Sequence, residues 1–245
     1  MGIMLGNLDK STYVYFKDEP VENSRLGITD NRIVEVPNFV TPEVAEGMIK
    51  YFDMVGEEMW GDIAFYNSKG MGLPPDDPKF KECGLEDKFF EKLREKYQEC
   101  VSLIFERPVR PNTSHAQKWY EGGFAAPHSD NSDFDGNPTA FEINKYVGIL
   151  YLNDDYEGGE LYFPDHELDI KPKKYAYYVF PGGVENVHGV RAVQKGERYT
   201  MVSFWDFKEA EYSEERQNEW EEEFARVREE QAHQREEWEK GNTTA

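Results

Sequence analysis

One constellation restricts this chain more than any other feature: the His-Ser-Asp at 128–130 and the imidazole of His188. His128 and Asp130 stand two positions apart, so on an extended backbone both side chains project to one face and can grip a single ion. His188 adds a third donor only if the intervening 188 − 130 = 58 residues return it beside the first two. That length holds about four or five strands with their turns, and a closed β architecture is the form that brings its end back to its beginning. Two imidazoles and one carboxylate on one face of an octahedron leave the remaining positions open for exchangeable ligands. A lone His-x-Asp is weak evidence in a chain with 49 acidic residues, so the other motifs decide its meaning.

Ten residues after His188, Gln194-Lys195-Gly196-Glu197 reads as a turn and the run from Arg198 to Trp205 as an apolar-rich strand, a hairpin expected to return Arg198 towards the metal. A guanidinium placed there suits a dicarboxylate whose other end chelates the ion, because its planar fork matches a carboxylate and an ammonium does not.

The segments Trp119-Tyr120-Glu121-Gly122-Gly123 with His128-Ser129-Asp130, Gly148-Ile149-Leu150-Tyr151-Leu152-Asn153-Asp154 with Glu157-Gly158-Gly159-Glu160-Leu161-Tyr162-Phe163-Pro164, and His188-Gly189-Val190 with Gly196-Glu197-Arg198-Tyr199 occur in that order. Together they resemble the catalytic domain of the prolyl 4-hydroxylase type of Fe(II)- and 2-oxoglutarate-dependent dioxygenases, over about Ile33 to Phe207. The resemblance implies a mainly β fold with flanking helices around a double-stranded β-helix (jelly-roll, cupin-like) core. It implies His128, Asp130 and His188 on Fe(II), and Arg198 on the distal carboxylate of 2-oxoglutarate. Tyr120 and Tyr151 look like the family's cosubstrate-pocket tyrosines, and Thr200 shares a strand face with Arg198. The implied activity is hydroxylation of prolyl residues in a peptide or protein by O2, coupled to decarboxylation of 2-oxoglutarate to succinate, with ascorbate as an accessory. Two alternatives from other classes stay open: a hydroxylase of a free amino acid or small metabolite, and a non-catalytic β-helix binding module.

Composition sets the remaining limits. A chain of 245 residues can bury a sizeable core without staples, and its division is expected to be an N-terminal arm over 1–30, the dioxygenase domain over 31–207 and a charged C-terminal helix over 208–245. Cys83 and Cys100 make neither a disulfide framework nor a zinc motif, and no run of eighteen apolar residues occurs. A soluble, cytoplasmic protein is the expectation. A net charge of −21 opposes phosphate backbones and anionic lipid, so neither nucleic acid nor membrane is an expected partner.

Along the chain, Arg32 to Val36 alternates like a strand, and Thr41 with Pro42 opens a helix carrying Val44, Met48 and Phe52 on one stripe. Residues 60–78 turn irregular, either a lid or an ordered surface loop. A second helix is expected from Leu85 to Phe105, ended by Pro108 and Pro111, and a strand over 116–120. Residues 146–153 and 160–163 read as the two arms of a hairpin, and 175–180 as another strand. Asp133 and Asp135 lack the further oxygen ligands of a calcium loop and read as turn carboxylates. His115 and His166, in polar sequence surroundings, and His233, in the charged tail, read as structural or surface residues. Trp220, Phe224, Val227 and Trp238 form a thin apolar stripe on the C-terminal helix, whose acidic surface could also dock a basic peptide.

Overall fold

The computed structural model describes residues 8–22, 24–63, 66 and 68–226. The strands are β1 Val14–Lys17, β2 Ile33–Val36, β3 Gly61–Ile63, β4 Ser68–Gly72, β5 Val109–Trp119, β6 Ala125–His128, β7 Tyr146–Tyr151, β8 Glu157–Gly158, β9 Leu161–Phe163, β10 Leu168–Ile170, β11 Tyr177–Pro181, β12 His188–Val190, β13 Val193–Lys195 and β14 Arg198–Phe207. The helices are α1 Pro42–Met54, α2 Lys79–Glu82 and α3 Phe89–Phe105, followed by a helical segment over 214–226. The larger sheet has eight strands in the order β1-β2-β11-β7-β14-β5-β4-β3, and the smaller runs β10-β9-β12-β6. From β5 onward the chain passes back and forth between them, which is the jelly-roll path of a double-stranded β-helix.

Strand periodicity assigns the faces. On β14 the side chains of Arg198, Thr200, Val202 and Phe204 share one face, while Tyr199, Met201, Ser203 and Trp205 share the other. Val202 and Phe204 pack with Val147, Ile149, Tyr151, Phe163, Tyr178 and Phe180 between the sheets. Met201 and Trp205 join α1 and α3 in a separate core on the outer side of the larger sheet. In α1 the Thr41 hydroxyl accepts from the Val44 N–H, and Val44, Met48 and Phe52 are all buried. In α3 the stripe Phe89, Leu93, Tyr97, Val101 and Ile104 is buried as its spacing requires. This helix begins at Phe89 rather than Leu85, because Lys88 takes a left-handed conformation (φ 56°) that interrupts it.

Several expected elements pair differently. Residues 60–78 are not wholly irregular: β3 and β4 form a hairpin that extends the larger sheet along β5. Strand β5 is eleven residues long rather than five, and Pro111 lies inside it. The missing N–H there is tolerated because β4 pairs only as far as His115. The segments 146–151 and 161–163 are not one hairpin, since β7 pairs with β11 and β14 whereas β9 pairs with β10 and β12. Gly158 and Gly159, both at positive φ, carry the chain from one sheet towards the other. Likewise β13 pairs with β8, so Arg198 reaches the interior by the order of the sheet and not by a hairpin from His188.

At the other end of the chain Ser213 caps the helical segment by accepting from the Arg216 N–H. The Arg216 guanidinium donates to Glu142 at 2.5 Å and to the Thr139 carbonyl at 3.1 Å, and the Trp220 indole donates to Glu142 at 3.3 Å. Thr139 N–H in turn donates to the carbonyl of Asn131 at 3.1 Å. Trp220 is therefore buried and Phe224 packs edge-on against Phe141, while Val227, His233 and Trp238 of the expected stripe lie outside the described residues.

His115 is not in polar surroundings. The alternation of β5 turns it to the interior face with Gln117 and Trp119, its ring 6.3 Å from Phe204, and burial pulls its pKa down to about 4. The unfolded chain takes up this proton near pH 6.5 and the folded chain only near pH 4, so stability falls as the pH drops through that window. Urea unfolding of wild type against His115→Asn at pH 4, 5, 6 and 7 should show the wild-type decline flattened in the variant.

Candidate metal centre and anion pocket

Register brings the two imidazoles together. Strands β6 and β12 are antiparallel neighbours with His128 and His188 directly opposed, and the ring centroids are 4.5 Å apart. Asp130, just past the end of β6, is tied by its N–H to the Gly182 carbonyl at 2.8 Å. Its carboxylate oxygens lie 3.7 Å from His128 Nε2 and 3.4 Å from His188 Nε2. All three candidate ligand atoms fall within 4.8 Å of one another.

The outer contacts fix the state of each group. Nδ1 of His128 lies 2.9 Å from the Ala126 carbonyl, and Nδ1 of His188 lies 3.0 Å from the Asn186 carbonyl. Each Nδ1–H donates to a main-chain oxygen, so Nε2 keeps its lone pair for an ion. Burial among Phe163 and Phe180, followed by the neighbouring His128, drives the His188 pKa well below the usual histidine range, leaving it neutral. Burial raises the Asp130 carboxyl to about 6, with His128 opposing, and its Oδ2 has no hydrogen-bond partner. An unsatisfied carboxylate oxygen facing the Nε2 atoms of two imidazoles fits a divalent first-row cation, which satisfies all three at once.

The second half of the site is an unpaired buried cation. Arg198, the first residue of β14 and opposite Trp119 in register, is 1% exposed. Its Nη2 donates to the Tyr151 hydroxyl at 2.7 Å, but Nε and Nη1 have no partner, and no carboxylate among the described residues pairs with it. The guanidinium carbon lies 4.8 Å from the Trp119 ring and 4.7 Å from the Tyr151 ring, two cation–π contacts that clamp it in place. A buried guanidinium with free donors is a receptor for an anion.

Aromatic rings join the halves. Tyr66, from the turn between β3 and β4, stacks on Trp119 at 5.5 Å and lies 5.9 Å from His128, and burial together with Asp130 pushes its hydroxyl up to about 12. Thr200 faces the same interior, paired with Tyr151 and Gln117 in register. Tyr120 does not join this group. It lies on the opposite face of the strand, its ring 5.6 Å from Lys118 Nζ, and Trp119 takes the interior position instead. The charged Lys118 one residue before Trp119 was the signal that this face points outward. Asp133 is a turn carboxylate, accepting from the N–H groups of Asp135 and Asn137.

Residues 114–206 match the family model described as the 2OG-Fe(II) oxygenase superfamily. Prolyl 3-hydroxylase 2 from Homo sapiens is 39% identical over 90 residues, which are 32% of this chain and 13% of that protein. Prolyl 3-hydroxylase 1 from Gallus gallus is 38% identical over 73 residues, 28% of this chain and 10% of that protein. The chain thus spans only about an eighth of the length of the first of these relatives. In fold it is similar to a viral collagen prolyl hydroxylase from Paramecium Bursaria Chlorella virus-1 in a 2OG complex, with a TM-score of 0.51, 17% identity and coverage of 71% of this chain and 95% of that one. It is also similar in fold to a Trichoplax adhaerens prolyl hydroxylase solved with a hypoxia inducible factor peptide fragment, with a TM-score of 0.53, 14% identity and coverage of 76% and 86%.

Proposed function

We propose, for a chain whose residues 114–206 belong to the 2OG-Fe(II) oxygenase superfamily, that it is a dioxygenase hydroxylating prolyl residues of a peptide or protein. The observation that carries the reading is the pairing of two incomplete sites in one aromatic-walled interior: a His-Asp-His group with an unsatisfied carboxylate oxygen, and a buried Arg198 without an acid. His128, Asp130 and His188 would hold Fe(II), and Arg198 with Tyr151 would hold the distal carboxylate of 2-oxoglutarate. When bound, that pair supplies the oxidising power that inserts one atom of O2 into an unactivated C–H bond while 2-oxoglutarate leaves as succinate and carbon dioxide.

The protein's own part is placement and protection. The main-chain carbonyls of Ala126 and Asn186 hold both imidazoles in the metal-binding tautomer. Trp119 and Tyr151 fix the guanidinium, so little freedom is lost when an anion arrives. Phe163 and Phe180 keep water from the His188 side, and Thr200 fills the wall beside Arg198. Phe124, 51% exposed, lies four residues before His128, and Phe134, 70% exposed, four after Asp130. Exposed rings so placed suit a proline-containing chain, and the prolyl hydroxylases among the sequence relatives and structural neighbours favour that substrate class. A net charge of −21 steers basic segments towards the surface and repels nucleic acid. An intracellular, reducing location is consistent with the two buried free thiols, and no helix among the described residues is long and apolar enough to cross a membrane.

The test is succinate formation by the Fe(II)-loaded protein with ascorbate present, over a library of proline-containing peptides and a parallel pool of free amino acids. The expected outcome is peptide-stimulated turnover with one oxygen gained on proline. Product analysis then distinguishes 3-hydroxyproline, as in the names of the sequence relatives, from 4-hydroxyproline, as in the Pseudomonas putida prolyl-4-hydroxylase that is similar in fold. Gain of oxygen by free amino acids alone would transfer the activity to small metabolites, and no succinate under any condition would leave only a binding module.

A further inference from the structure

Tyr156 lies in the connection between β7 and β8, 6% exposed, and its hydroxyl has no hydrogen-bond partner besides the Arg198 guanidinium beside it. Burial raises its pKa most, and the charge of the adjacent Arg198 opposes that rise. Two features shape the connection that carries the ring. Gly159, at φ +69°, has no side chain, and a Cβ built on it would come within 2.9 Å of the Tyr156 ring and 3.2 Å of Arg198 Cδ. Asn153, three residues before Tyr156, is fixed by donating to Asp155 and the Glu197 carbonyl and by accepting from the Tyr199 N–H.

A carboxylate presents about four lone-pair sites, and in a closed pocket those left unfilled are costly. Arg198 offers Nε and Nη1, while its Nη2 is already used by Tyr151. A buried phenol beside that guanidinium, with no other partner among the described residues, keeps its O–H proton free for an anion bound there. We infer that the Tyr156 hydroxyl is a further donor to the distal carboxylate of 2-oxoglutarate, and so a residue that selects keto acids bearing that group. This rests on the function proposed above.

The test is calorimetric titration of the Mn(II)-loaded full chain, without turnover, using 2-oxoglutarate and pyruvate, which keeps the keto acid and lacks the distal carboxylate. Tyr156→Phe should weaken 2-oxoglutarate about tenfold, the loss expected for one hydrogen bond to a charged group, and leave pyruvate unchanged. Its ligand-free unfolding midpoint should stay near that of wild type, because the deleted hydroxyl has no partner besides Arg198. Equal weakening of both keto acids, or 2-oxoglutarate affinity at the wild-type level while Arg198→Met loses it, would overturn the assignment. Binding of neither keto acid by wild type would instead remove the functional reading beneath it.

Discussion

Replacing Asp130 by alanine is expected to give a folded protein that no longer holds its metal. The carboxylate is the sole anionic member of the His-Asp-His group, and its removal leaves two imidazoles without a charged partner for the ion. Loss of an outer partner of a metal ligand costs about 10- to 100-fold in affinity, and loss of the ligand itself should exceed that. Titration with Mn(II), followed by a succinate assay with Fe(II), reads both consequences; metal affinity within tenfold of wild type would remove Asp130 from the site. The ligand-free variant also has a pH signature. The folded carboxyl titrates near 6 and the unfolded one near 3.8, so the folded state binds more protons between those values and wild-type stability declines as the pH rises through the window. Asp130→Ala lacks that decline, and above pH 6 it should unfold at a higher urea concentration than metal-free wild type.

Arg198→Met separates binding from folding in the opposite sense to most core substitutions. The guanidinium is buried with no acid beside it, so wild type carries the desolvation cost until an anion arrives. Removing one partner of a buried charge pair costs about 2–5 kcal/mol of binding, so affinity for 2-oxoglutarate should fall by roughly 30- to several thousand-fold. Replacing a buried charge by an apolar chain of similar volume is often neutral or stabilising by about 1–4 kcal/mol. The expected pattern is therefore a ligand-free unfolding midpoint at or above that of wild type, together with loss of the upward shift that 2-oxoglutarate gives the metal-loaded wild type. A variant still stabilised by 2-oxoglutarate would place the anion elsewhere.

The convergence of His128 and His188 was legible because two local facts combine: a two-residue period that puts ligands on one face, and a separation only a closed sheet can bridge. Arg198 was legible from the strand it opens. The pairing of the strands was not, because a turn such as 154–159 looks the same whether the chain folds back beside itself or crosses to the other sheet. Only the positive φ of Gly158 and Gly159, set by tertiary packing, decides between them. Tyr120 stands out only by its resemblance to the family's pocket tyrosines, whereas the charge of Lys118 argues that their shared face points outward. Tyr66 and Tyr156 come from connections, where no periodicity tells which way a ring points. The helices were legible in their buried stripes and, for α1, in its Thr41–Pro42 start, but the start of α3 was not, since the interruption at Lys88 is a backbone conformation with no compositional mark.

A boundary drawn after Phe207 where composition changes would cut through a mechanical linkage. Glu142 would lose its guanidinium and indole partners together, a poorly solvated carboxylate left bare, and the turn at 139–144 would lose the brace that reaches Thr139. Because Thr139 anchors the residue immediately following Asp130, a truncation made some eighty positions downstream by sequence would be felt at the proposed metal ligand itself.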